Sequence, residues 1–181
     1  MEKMSETKAN ILELMWVNEE PLISKQIAEK LGLKPRAANM HLTWLAKEGC
    51  VTKSNSGEYT LTASGREAIG FPKTDEKLAR KVLSKTSKEK AFHFYKGIGQ
   101  PTGVMSDSLN DFCEKLKTMD VKIVEFHTER GDFETWVSSL GDAELAKRLK
   151  VIRGTKLSDE ALRKKTYESL KTRCNELLNI E

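Results

Sequence analysis

No stretch of this 181-residue chain stays apolar for the roughly 18 residues that a membrane-spanning helix needs. Cysteine is scarce and odd in number. Cys50, Cys113 and Cys174 stand far apart, which argues against a disulfide framework and against a Cys-based zinc site. Free, partly buried thiols are expected instead. The opening Met1-Glu2-Lys3-Met4-Ser5-Glu6 lacks the basic-then-apolar order of a secretory leader. Together these absences lead us to expect a cytoplasmic protein with no membrane partner. Internal repeats and low-complexity tracts are also missing. No Walker or dinucleotide glycine pattern occurs, and no Ser/His/Asp or Cys/His spacing stands out. No catalytic residue, metal or cofactor is therefore assigned.

What is present suits a well-solvated chain that still buries a core, of one or two domains: 38% of residues are hydrophobic and 32% charged. The net charge of +4 is mild but unevenly placed. Residues 1–70 hold nine basic and nine acidic side chains, and residues 91–181 hold fifteen of each. Residues 71–90 hold seven basic against three acidic, so the whole surplus lies there. This stretch reads either as a solvated linker helix or as a basic strip that touches phosphates.

From Glu19 to Ile69 the signals follow a recognisable order. A helix over Ser5–Val17 precedes them, with Ile11, Leu12, Met15 and Trp16 on one face. Pro21 starts the next element. A short helix runs from Ser24, its expected N-cap, to Leu31, with Ile27, Ala28 and Leu31 on one face. Gly32 supplies a turn, Leu33 plugs the core, and Pro35 takes the first position of a second helix. That helix turns Ala38, Leu42 and Leu45 inward, and Gly49 stops it. Two strands, Cys50–Ser54 and Glu58–Leu61, are joined by Asn55-Ser56-Gly57. A further helix runs to Ile69.

The phrases "ISKQIAEKLGL", "AANMHLTWLAKEGCV" and "YTLTASGREAI" resemble the winged helix-turn-helix regulators of prokaryotes, in particular the MarR- and ArsR-like groups. The resemblance covers roughly the first 70 residues. It implies a three-helix core with a β-hairpin wing, and a second helix that enters the DNA major groove. The exposed face of that helix would carry Arg36, Ala37, Asn39, Met40 and Thr43. Arg36 suits guanine and Asn39 suits adenine, each by a bidentate contact, and Ala37, Met40 and Thr43 offer apolar contact to a thymine methyl. Ser24, Lys25 and Gln26 open the preceding helix and can meet phosphate. Lys53, Ser54 and Asn55 would stand on the wing. The competing reading is an ordinary polar surface used for protein contacts. Trp44 reads as a core or interface filler.

Phe71-Pro72-Lys73 is a plausible boundary, followed by a helix with a thin apolar stripe of Leu78, Ala79 and Val82. Beyond it, Ala91–Lys96 alternates and is aromatic, which predicts a strand. A loop over Gly97–Gly103 and a helix over about Asp107–Met119 should follow. Val121–His127, rich in β-branched and aromatic residues, reads as a second strand. Asp132 is expected to cap a helix that buries Phe133, Trp136, Val137 and Leu140. Two more helices complete the chain, one with Leu145, Leu149 and Ile152, the other opened by Ser158 and lined by Tyr167, Leu170, Cys174 and Leu177. The order β-α-β-α-α-α predicts a small α/β domain. The segment from "AFHFYKGIGQPTG" through "VKIVEFHTERGDFETWVSSLGD" to "LAKRL" is also similar to an uncharacterised archaeal domain, over roughly residues 90–178. That resemblance supplies no activity.

In the predicted strands Glu125, His127 and Glu129 point the same way, and His93 can come alongside. Two imidazoles and a carboxylate suit a metal ion, yet sequence order alone does not bring them together. We expect His93, Glu125, His127 and Glu129 to flank an effector pocket; the competing reading is two histidines bonded within the sheet. Arg130 and Asp132 of "ERGDF" read either as a ligand clamp or as a structural ion pair.

The expectation is an α+β chain: a winged helix over 1–70, a basic linker helix over 71–90 and a small α/β domain over 91–181. It would act as a DNA-binding transcriptional regulator of double-stranded DNA. It would be a homodimer, with a small-molecule effector or the dimer contact in the second half. The alternatives are an interaction module with a degenerate winged helix, or a small enzyme fused to one.

Overall fold

The computed structural model describes residues 4–180. Met1–Lys3, part of the opening segment, and Glu181 lie outside the described residues. The chain is α+β and divides into two compact units, one ending at Lys73 and the other starting at Thr74. No helix among the described residues is long and apolar enough to cross a membrane.

The first unit opens with α1 (Glu6–Asn18), which buries Ile11, Leu12, Met15 and Trp16 at helical spacing. After β1 (Leu22–Ile23) come α2 (Ser24–Leu31) and α3 (Pro35–Lys47). Gly32 joins them in the left-handed region at φ +63°, which lets its N–H and that of Leu33 close on the last carbonyls of α2. Pro35 starts α3, as expected. The strands β2 (Val51–Lys53) and β3 (Glu58–Leu61) pair antiparallel, and β1 adds to the far edge of β3, giving the order β1-β3-β2. Ile11, Leu12, Leu22, Ile27, Leu42, Leu45, Val51 and Tyr59 form one buried cluster. Lastly, α4 (Ala63–Ala68) is capped by Thr62, whose hydroxyl accepts from the Gly65 N–H at 3.1 Å and donates to the Gly49 carbonyl at 2.6 Å.

One cap differs from expectation. Ser24 is the first residue of α2, and Ile23 precedes it as the capping residue. The Gln26 side chain closes that end instead, accepting from the Ile23 N–H at 2.9 Å. This frees the Ser24 hydroxyl for a bond elsewhere.

The second unit contains α5 (Glu76–Leu83), a single 3-10 turn at Lys88–Lys90, the hairpin β4 (Phe92–Gly97) and β5 (Gln100–Ser106), and then five helices. These are α6 (Leu109–Leu116), α7 (Val121–Arg130), α8 (Asp132–Leu140), α9 (Ala143–Gly154) and α10 (Asp159–Leu178). Its core includes Phe92, Phe94, Leu109, Phe112, Leu116, Phe133, Val137 and Leu170.

Three expectations are corrected here. The segment 71–90 is not one linker helix. Phe71 packs against Trp16 in the first unit, with ring centroids 5.0 Å apart and the planes tilted by 35°, while α5 buries Ala79 and Val82 in the core of the second. The expected loop over Gly97–Gly103 is a tight turn at Gly99 followed by β5, so the sheet is a hairpin of adjacent strands. Val121–His127 is helical. Ile123, Val124, His127 and Thr128 are its buried residues, a helical spacing that overrides the strand propensity of Val and Ile. Asp120 caps α7, accepting from the Lys122 N–H at 2.9 Å. The second unit is thus a hairpin packed on helices, not an alternating α/β domain.

Candidate functional site

In the first unit, the helical turn of α3 that buries Ala38, Leu42 and Leu45 leaves Arg36, Asn39, Met40 and Thr43 exposed. Met40 is 62% exposed, a large apolar side chain held out in water. The start of α2 is tied to this face, because the Ser24 hydroxyl donates to Asn39 Oδ1 at 2.5 Å. Thr43 donates to the Asn39 carbonyl one turn back, at 2.8 Å. Lys25 lies exposed in a loose pair with Glu29 at 3.9 Å. Gln26 spends its side-chain oxygen on the Ile23 cap, so it offers only its amide N–H groups outward. The β2–β3 turn presents Lys53, Ser54 and Asn55 to solvent, closed by Ser54, Ser56 and Glu58 bonding one another. Trp44 is half-buried beside this unit's core, with the Lys8 ammonium 3.2 Å from its ring centre.

In the second unit, the effector residues expected together are split. His127 is buried in the aromatic core, with its ring 4.9 Å from Phe92 and 5.1 Å from Phe126. Its Nε2 accepts the Tyr95 backbone N–H at 2.9 Å. This bond fixes the tautomer: the proton is on Nδ1, which donates to Asp132 Oδ2 at 2.8 Å. Burial lowers the His127 pKa from its ordinary value, outweighing the opposing pull of Asp132, so the ring is neutral. Among the described residues β4 pairs with β5 alone, in an irregular register around Tyr95, and His127 takes up the Tyr95 N–H.

Asp132 does not cap α8. Gly131, left-handed at φ +72°, ends α7 and precedes α8, and the Asp132 carboxylate turns to His127 and to Arg130 Nε at 3.1 Å. Glu125 is half-buried on another side of α7. It accepts the Asp159 N–H at 2.7 Å and pairs with Lys122 at 3.2 Å, and these contacts lower its pKa. With Glu129 it lines a separate cleft beside Arg153 and Ser158. Among the described residues no group of His, Cys, Asp and Glu is placed to hold a metal ion.

His93 and His127 do meet at one cavity of about 470 Å³. It opens between β4, the Gly97–Gly99 turn, the end of α7 and the start of α8. Phe92, Tyr95, Phe126 and Trp136 wall it, with His93, Arg130 and Asp132 as its polar groups. Trp136 is held by its indole N–H on the Lys90 carbonyl at 2.9 Å. Sequence reasoning missed Tyr95, Phe126 and Trp136 as lining. It had placed Phe126 on a strand, and only the helix brings that ring beside Arg130. The recognisable signal was "ERGDF", where the structure shows the ion pair between Arg130 and Asp132.

The stretch holding this cavity, together with α5, matches a family of unknown function, DUF5752, over residues 73–171. That is more than half of the chain. The chain belongs to this family. No curated protein and no solved structure matches the chain. The DUF5752 match begins within one residue of the division between the two units, so the helix expected as a linker is part of the family's own domain.

Proposed function

We propose that this DUF5752 member is a DNA-binding transcriptional regulator. In this reading the first unit is a winged helix-turn-helix, with α3 in the major groove and the β2–β3 turn as its wing. The DUF5752 unit then senses a small-molecule effector, joins two subunits on a pseudo-palindromic site, or does both. The observation that supports the reading best is the outer face of α3. It exposes Arg36 and Asn39, one suited to guanine and the other to adenine, and the Ser24 hydroxyl steadies Asn39. Met40, next to Asn39 and 62% exposed, suits a thymine methyl. The likeness of the first 70 residues to MarR- and ArsR-like regulators points the same way.

Selection of bound duplexes from a random DNA pool tests the proposal. Enrichment of a two-fold site with half-sites one helical turn apart, about 10 base pairs, is expected. Its affinity should fall steeply with salt. A pool that shows no enriched sequence, with no salt-dependent binding to any duplex, overturns it in favour of a protein-interaction module.

A further inference from the structure

The cavity beside β4 holds a combination that DNA binding does not use. Its walls are aromatic and its rim carries one guanidinium. Arg130 is fixed from two sides: Nε bonds Asp132 at 3.1 Å, and the guanidinium carbon lies 5.3 Å from the Phe126 ring centre. Asp132 is itself held by the His127 Nδ1–H at 2.8 Å. The chain His127–Asp132–Arg130 therefore presents the two terminal guanidinium nitrogens as a pre-set fork. On the same rim, His93 Nε2 stands 3.3 Å from the Lys88 carbonyl, which only accepts. Nε2 is thus the donor in this contact.

We propose that this cavity binds a small planar aromatic carboxylate, its ring against Phe92, Tyr95, Phe126 and Trp136 and its carboxylate on the Arg130 fork. A guanidinium fork matches a carboxylate through two parallel bonds, and one such fork matches a single monoanion. A dianion such as a phosphate ester would meet the Asp132 carboxylate with one guanidinium to balance it. The volume, about 470 Å³, lies within the usual range of small-molecule sites. The ligand's effect on DNA rests on the regulator reading above; its binding does not.

Calorimetry on the full chain without DNA tests the site, so a failure here is distinct from a failure of DNA recognition. The probes are naphthalene-2-carboxylate, its neutral counterpart 2-naphthalenemethanol, and cyclohexanecarboxylate. The aromatic acid should bind one to one, roughly tenfold tighter than either control. Arg130→Gln should remove the preference for acid over alcohol, and Arg130→Lys should keep only part of it. Ile98→Glu changes a side chain that is 83% exposed at the rim, so folding is spared. It should weaken the acid and leave the alcohol unchanged. Equal binding of all three probes, no saturable binding of any, or an undiminished acid preference in both Arg130→Gln and Ile98→Glu would overturn the proposal.

Discussion

Tyr95 and His127 are joined by a backbone N–H donated to an imidazole nitrogen, at 2.9 Å across 32 residues of sequence. The other imidazole nitrogen is bound to Asp132. A histidine committed on both sides is unsuited to general-base work, because its only acceptor lone pair is already taken. Its role is to satisfy the Tyr95 N–H of β4 and to hold Asp132 for Arg130. Asp132 and Arg130 are the charged groups that face it, and Tyr95 supplies the backbone donor.

This arrangement gives the fold a pH dependence with a definite sign. Burial lowers the His127 pKa below the ordinary imidazole value of about 6.5. Below that value the unfolded chain binds a proton that the folded ring resists. The stability contributed by the neutral ring is therefore complete above about pH 6.5 and is lost as pH falls toward the lowered folded value. Thermal unfolding of the parent should show a falling midpoint between pH 7.5 and 5.5. His127→Leu should be less stable at pH 7.5 by about 1–3 kcal/mol, since it strands a backbone donor and a carboxylate. Its decline with acid should also be shallower. A variant with the parent's slope would show that another group sets the dependence.

Gly65 sits where α4 crosses the carbonyl of Cys50. A Cβ there would stand 2.1 Å from that oxygen and 2.6 Å from Leu61 Cδ1. The oxygen belongs to backbone and is itself bonded to the Thr62 N–H at 3.1 Å, so it has little room to yield. Gly65→Ala should destabilise the first unit by about 1–3 kcal/mol, even though alanine is the better helix former by about 1 kcal/mol. Urea unfolding of parent and variant side by side measures the difference. An unchanged or raised midpoint would mean that α4 does not rest on Cys50.

The first unit was legible because its signals are local. Gly32, Pro35 and the Asn55-Ser56-Gly57 turn each fix the backbone at one point, and the apolar residues between them repeat at one period. Its one misread cap, Ser24, bonds instead to Asn39 fifteen residues away, which spacing does not reveal. The second unit misled at Val121–His127, where β-branched residues suggested a strand. The buried set Ile123, Val124, His127 and Thr128 follows the helical period, and Asp120 and Gly131 bracket it. Once that segment is a helix, Glu125 and Glu129 face the cleft by Ser158 while His127 faces the hairpin. The four expected site residues therefore part in two directions.

A buried ion cluster ties α9 to α10. The Arg173 guanidinium, 2% exposed, bonds Asp142 at 2.7 Å and pairs with Glu144 at 3.1 Å and Glu176 at 3.0 Å. Burial works against its charge, yet Asp142 and the two glutamates hold its pKa above the ordinary arginine value. Arg148 adds a second cation on Glu144 at 2.8 Å. Arg173→Leu would leave Asp142 uncompensated in the interior, at a cost of about 3–5 kcal/mol. Thermal scans of parent and variant at pH 7.5 measure the loss. A loss below about 1 kcal/mol, well under the usual cost of breaking a buried pair, would show that Arg173 does not neutralise the cluster.

Arg36 and Asn39 bear on sequence reading more directly than any other pair. Both side chains are exposed on α3, one turn apart, and Asn39 is braced by Ser24. If they meet base edges, each alanine variant should weaken the selected duplex by about 1–3 kcal/mol while barely affecting a scrambled one. Ser24→Ala should follow Asn39→Ala to a smaller degree, since it removes the brace and keeps the amide. Charge reversal of Lys73, Lys77, Arg80 and Lys81 should act differently, lowering affinity for both duplexes and flattening the log–log salt slope by about 0.9 for each phosphate no longer neutralised. Arg80 is the weakest candidate of the four, because Glu76 already pairs with it at 2.5 Å. Fluorescence anisotropy across a salt series separates the two patterns. Equal weakening on both duplexes from Arg36→Ala and Asn39→Ala would reduce α3 to a phosphate-binding surface and take away the residue-level basis for specific recognition.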